Sequence, residues 1–223
     1  MRTGINHLFI PGPTNVPDVV RQAMNVPMQD HRAHDFGAPN LGLFHDLKRL
    51  FKTQTGHVIL FPGSGTAAWE AAITNTLCPG DRVLMARHGQ FSQLWVQMAT
   101  RLGLDVEVTD LPWGAGAPVS EFARKLAADT GGKIKAVFVT HNETATGVTS
   151  DVAAVRRVMD DAFHDALLFV DGVSSIGCLP FEMDGWGVDL AVKGVGQHVQ
   201  RDTSPLVQDY DVADDVQDLT HIA

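Results

Sequence analysis

The chain has 223 residues, 44% of them hydrophobic, and a net charge of −9. That length allows one large domain, or one domain plus an appendage, with a sizeable core. The charge argues against a nucleic-acid surface, no apolar run could span a membrane, the start lacks the apolar stretch of a secretory signal, and two cysteines make no disulfide framework; a cytoplasmic protein is expected.

Residues 1–20 contain Pro11-Gly12-Pro13-Thr14-Asn15-Val16-Pro17, which predicts a stiff, extended segment, either a leader or backbone laid beside a ligand. Asp30-His31-Arg32-Ala33-His34-Asp35 places two histidines at i, i+3, but no third ligand with recognisable spacing follows, so a polar turn is preferred to a metal site. Between Asn40 and Thr55, Leu43, Leu47, Leu50 and Phe51 fall at helical spacing.

From His57 onward short apolar runs alternate with helical segments. Strands are expected at His57–Phe61, Arg82–Ala86, Asp105–Val108, Lys135–Thr140, Leu167–Asp171 and Asp189–Lys193. Helices are expected at Thr66–Leu77, Ser92–Leu102, Ser120–Ala128 and from a Ser150 or Asp151 cap to about Phe163. This alternation predicts an α/β fold: a mostly parallel sheet with helices on both faces. After Gly194 the periodicity stops, and residues 195–223 read as an acidic tail, solvated or disordered.

Two stretches carry chemistry. Phe61-Pro62-Gly63-Ser64-Gly65-Thr66 joins a strand, a glycine-rich turn and a helix start, which offers free amides and the positive end of a helix dipole to a phosphate; an ordinary tight turn is the other reading. The spacing fits neither a P-loop nor a nucleophile elbow. Leu167-Leu168-Phe169-Val170-Asp171 is a doubly buried strand ending on a carboxylate, and ligands of open α/β sheets sit outside the carboxyl ends of strands. Asp171 is therefore either a ligand-facing, catalytic carboxylate or a cap on the turn at Gly172. With Phe91 after an intervening strand, the set suits a flat, phosphorylated nitrogen heterocycle. A carboxylate beside a pyridine nitrogen favours its protonated, electron-withdrawing form.

Across PGPTNVP, DHRAHDF, FPGSGTAAWEAAITNTLCPGD, VLMARHGQFSQLW, VTHNETATGV and FVDGVSSIGCLPFEMDGWGVDLAV, the chain resembles the class V, fold-type I aminotransferases, most closely those of the serine–glyoxylate and alanine–glyoxylate type. The resemblance covers nearly everything from Leu8 to Gly194. It implies a pyridoxal 5'-phosphate cofactor, amino-acid and 2-oxo-acid substrates, and a homodimer. By resemblance, Ser64, Gly65 and Thr66 hold the phosphate, Phe91 stacks on the ring, and Thr144 hydrogen-bonds the ring hydroxyl. Asp171 pairs with the ring nitrogen, Val173 packs on the opposite ring face, and Gly12, Pro13 and Thr14 form a loop near the substrate. Trp69, Trp95 and Trp186 read as packing. Residues 21–194 then form part of a cofactor-binding large domain.

The resemblance breaks where the family continues with Ser-Gly-Ser-Gln-Lys-Gly. Gln197 falls at the position of the lysine that bonds the cofactor, and an amide cannot replace it. Lys193 lies four positions earlier, about 13 Å along an extended strand. The family's further C-terminal portion, with a small domain and a carboxylate-gripping arginine, has no counterpart here. The expectation is an inactive transaminase or a non-catalytic remnant, arising from a frameshift, a truncated gene or a sequencing error. A nucleotide-binding α/β domain is disfavoured because no G-x-G-x-x-G turn is present.

Overall fold

The computed structural model describes residues 7–10, 14–60 and 62–194. Its element order is α1 (Asp18–Ala23), α2 (Gly37–Phe51), α3 (Gly65–Thr76), β1 (Arg82–Arg87), α4 (Gln90–Arg101), β2 (Asp105–Asp110), α5 (Val119–Ala128), β3 (Ile134–Thr140), β4 (Asn142–Glu143), β5 (Val148–Thr149), α6 (Val152–Asp161), β6 (Leu167–Asp171) and β7 (Leu190–Val192). Five strands form a parallel sheet in the order β2-β1-β3-β6-β7, and β4 and β5 form a short antiparallel pair.

Strand alternation divides the core. Leu84, Val137, Val139, Leu168 and Val170 point to one face, where they meet Phe122 and Leu126 of α5 and Val155 and Met159 of α6. Val83, Met85, Ala136, Phe138 and Phe169 point to the other, against Trp69 and Ile73 of α3 and Trp95 and Val96 of α4. Sheet burial on both faces is what the near-continuous apolar runs demand. The edge strand β2 is less buried and is tied to β1 by Arg82–Asp105 at 2.8 Å and Arg87–Asp110 at 2.6 Å.

The expected elements form, with three differences. Residues 57–60 are not a strand: Ile59 is 83% exposed and no strand pairs with them. An apolar run becomes a strand only where a neighbouring edge accepts its backbone hydrogen bonds, and none does so here among the described residues. Phe61 lies outside the described residues. The helix expected through Thr55 stops at Phe51, because Lys52 adopts a left-handed conformation (φ 51°) and Asp184 then captures the chain. Its carboxylate accepts from Thr53 Oγ1 and from the Gln54 amide, both at 2.7 Å. The segment expected to be extended through residue 20 turns helical at Asp18, although α1 buries no residue. The expected acidic tail, residues 195–223, lies outside the described residues.

Candidate cofactor site

The carboxyl ends of β1, β3, β6 and β7 open toward one edge of the sheet, and the start of α3 meets that edge. Gly65, the first residue of α3, lies against Val173, two residues past β6. A Cβ on Gly65 would sit 2.8 Å from Val173 Cγ2, so only glycine allows this approach without movement. Ser64 precedes the helix in extended conformation and makes no side-chain cap, leaving the α3 N-terminus without a side-chain acceptor. Ser64 and Thr66 are exposed and Gly65 is half-buried. Uncapped amides, two hydroxyls and the positive helix end together suit an anion.

Asp171 ends β6. Its Oδ1 accepts the Val173 amide at 3.0 Å, and its backbone carbonyl accepts the His141 amide at 3.0 Å. It is buried, and burial pushes its pKa up from 3.8 to about 7. The Val173 amide and the Trp69 indole oppose that rise, the charge of Glu143 adds to it, and Lys193 offsets it slightly. Such a carboxylate is held in an unfavourable state at neutral pH unless a positive partner arrives.

The ends of β1 and β3, on one side of β6, add two linked segments. Glu143, fully buried, accepts the Phe91 amide at 3.1 Å, the Ser92 amide at 2.9 Å and the Ala145 amide at 3.2 Å. It thus satisfies the first turn of α4 and locks Phe91 to the segment that carries Thr144. Gly89 is required here, since a Cβ would overlap the Glu143 side chain. Across the next junction, His141 Nδ1 and Ser175 Oγ are 2.9 Å apart, and Asn142 Nδ2 donates to Ser174 Oγ at 3.0 Å. The β3 and β6 loops are therefore stitched together. Burial lowers the His141 pKa from 6.5 to about 4.

The structure thus joins Ser64, Gly65, Thr66, Asp171 and Val173 at one place, and joins Phe91 to Thr144 through Glu143 beside it. Phe91 and Val173 pack on the same core cluster. Thr14 is half-buried, in a segment closed by the Leu8 amide donating to Asn15 Oδ1 at 2.7 Å; Gly12 and Pro13 lie outside the described residues, as does Gln197. His31 and His34 fall in a chain of turns where the Arg32 amide bonds Asp30 Oδ1 at 2.9 Å. Lys193 reaches farther into the site than its position along the strand implies. It is half-buried, and its Nζ donates to the Val173 carbonyl at 3.1 Å. Burial lowers its pKa, against the opposing charges of Cys178 and Asp171. Glu143 was not foreseen. Its one sequence signal is a carboxylate soon after a strand whose neighbouring strand leads into an uncapped helix.

These residues fit a phosphorylated pyridine ring. The Gly65–Val173 contact leaves a cradle that a side chain would fill, the α3 terminus has no side-chain cap, and the buried Asp171 lacks a full counter-charge. An open groove elsewhere runs between α6 and residues 183–189. Its Arg156 is already committed to Asp160 and Asp189, which leaves it no comparable chemistry.

Residues 7–196 match the family described as Aminotransferase class-V. The chain is 62% identical over 188 residues to a serine–glyoxylate aminotransferase of Hyphomicrobium methylovorum, covering 84% of this chain and 46% of that protein. It is 55% identical to an L-aspartate–glyoxylate aminotransferase of Paracoccus denitrificans, covering 86% and 48%. The crystal structure of a ureidoglycine–glyoxylate aminotransferase from Bacillus subtilis superimposes with a TM-score of 0.80 at 27% identity, over 88% of this chain and 49% of that one. The chain spans about half the length of the curated relatives it matches.

Proposed function

The chain belongs to the class-V aminotransferases, enzymes that use pyridoxal phosphate, and on that footing we propose that it holds this cofactor at the α3 terminus and Asp171, within a scaffold built for moving an amino group from serine or alanine to glyoxylate. The observation that carries the reading is Asp171: a buried carboxylate with its pKa raised to about 7, at the carboxyl end of β6 and two residues from the Gly65–Val173 contact. When bound, the cofactor supplies the electron sink for amino-group transfer. Ser64, Gly65 and Thr66 hold its phosphate, Phe91 and Val173 flank its ring, Thr144 orients the ring hydroxyl, and Asp171 keeps a proton on the ring nitrogen.

Glyoxylate is the shared word in the names of the relatives, whereas their amino donors differ between serine and L-aspartate. That supports glyoxylate as the acceptor more firmly than it supports any single donor. We propose that the chain binds the cofactor without turnover: the resemblance puts Gln197 at the position of the family's covalent lysine, and an amide neither bonds an aldehyde nor moves the substrate proton.

The experiment is to incubate the protein with pyridoxal phosphate, serine and glyoxylate, assay hydroxypyruvate, then reduce with borohydride and map the peptides. The reading expects no turnover above the free cofactor and no specific pyridoxyl label. A stoichiometric label on Lys193 with sustained turnover would overturn the inactivity and make that amine the replacement.

A further inference from the structure

Trp69 sits in the second turn of α3 and is 2% exposed, yet its indole Nε1 completes no hydrogen bond among the described residues, although it lies near enough to Asp171 to oppose the rise in that carboxyl's pKa. A buried donor left without an acceptor is costly and calls for an explanation. Its placement supplies one. Trp69 lies four residues after Gly65, on the same face of the helix, and Gly65 rests on Val173. Helical side chains lean toward the N-terminus, so the indole extends back over the Gly65 turn. On the sheet, Asp171 shares a face with Phe169, since strand side chains alternate, and Phe169 packs in the same cluster as Trp69, Trp95 and Val173. Asp171 and Trp69 therefore face each other across the α3–β6 contact.

The indole plane is not free to turn away. Trp69 stacks on Trp95 with centroids 5.6 Å apart, Trp95 meets Phe138 edge-on at 4.8 Å, and Phe138 meets Phe169 at 4.8 Å. Asp171 has one donor fixed by the backbone, the Val173 amide on Oδ1.

We propose that Trp69 is the positioning residue of the ring-binding carboxylate: its indole N–H becomes the second donor to Asp171 when that group is ionised, holding it charged and turned toward the ring nitrogen. The catalytic part of this statement rests on the cofactor reading above; the contact itself does not. The charged groups facing Asp171 are Glu143, the last residue of β4, and Lys193, after β7. Both stay constant in the comparison below.

The test uses the full chain without cofactor, with carboxyl-labelled aspartate followed by carbon NMR and the Asp171 signal identified by its loss in D171N. Replacing Trp69 with Phe keeps the ring and removes the donor. A donor to a carboxylate favours the charged form, so W69F raises the Asp171 midpoint by about one pH unit. W95F, which removes the neighbouring orphan N–H from the same stack, leaves the midpoint in place. Unchanged midpoints in folded W69F overturn the proposal. Should W69F fail to fold, the wild-type indole N–H signals decide. One of them moves with the Asp171 midpoint and stops moving in D171N, whereas no such titrating indole overturns the proposal. The paired test with cofactor is separate: W69F weakens pyridoxal phosphate binding about tenfold, the equivalent of one pH unit. A midpoint shift in a protein that binds no cofactor upholds the Trp69 contact and rejects the cofactor reading.

Discussion

Asn in place of Asp171 should stabilise the cofactor-free protein above neutral pH. The Asn amide oxygen still accepts the Val173 N–H, so the change removes the charge and, with it, only the second acceptor that faces Trp69. Burial raises the Asp171 pKa from 3.8 to about 7. Between those values the folded chain binds more protons than the unfolded chain, so wild-type stability falls as pH rises through that window and levels off above it. Three pH units at about 1.4 kcal/mol each give about 4 kcal/mol, an order-of-magnitude figure. The D171N advantage should therefore grow by up to that amount between pH 4 and pH 8. Urea unfolding of both proteins at four pH values in this range measures it. Taking differences at each pH cancels every other titrating group. An advantage that stays flat with pH, or a wild type favoured at pH 8, would refute the argument that this carboxylate is held ionised against its surroundings. The logic also marks a functional site: a protein keeps a costly charge where a ligand repays it.

Three further outcomes follow from the same geometry. G65A forces a methyl to within 2.8 Å of Val173 Cγ2; it should cost about 1–3 kcal/mol of stability by overpacking and weaken cofactor binding, while G65A/V173A recovers the stability in urea titrations. E143A strands the Phe91 and Ser92 amides at the start of α4 and should cost about 2–4 kcal/mol, with E143Q losing less because one acceptor oxygen remains. His141 has its pKa lowered from 6.5 to about 4, so its contribution is intact above 6.5 and lost as pH falls toward 4. H141N should then flatten the acid side of the stability profile, removing about 2 kcal/mol of the change between pH 6.5 and pH 5.

Much of the frame can be read in the residues, for physical reasons that differ from place to place. The runs at Val83–Ala86, Ala136–Val139 and Leu168–Val170 are buried on both faces, so local composition alone marks them as strands. Asp171 stands out because a carboxylate at the end of such a run has few structural roles. The run at residues 57–60 misleads because its composition is strand-like while its backbone finds no partner among the described residues, and pairing is not a local property. The end of α2 was illegible for a related reason: Asp184, far along the chain, takes Thr53 and Gln54 out of the helix. Trp69 packs in the core as its residue type suggests, whereas Glu143, and under the proposal above Trp69 too, acts through a neighbour brought close by the sheet. Glu143 acts on the Phe91 segment and Trp69 faces Asp171, and neither spacing in sequence hints at it. Lys193 shows the converse. Distance along the strand undervalued it, and its long side chain folds back onto Val173.

The most direct test of the account is a pyridoxal phosphate titration of the purified chain and of D171N, followed by absorbance and competed with inorganic phosphate. The account predicts saturable binding to wild type, displaced by phosphate, and at least tenfold weaker in D171N. Equal affinities for the two proteins, or no saturable binding to wild type, would contradict it.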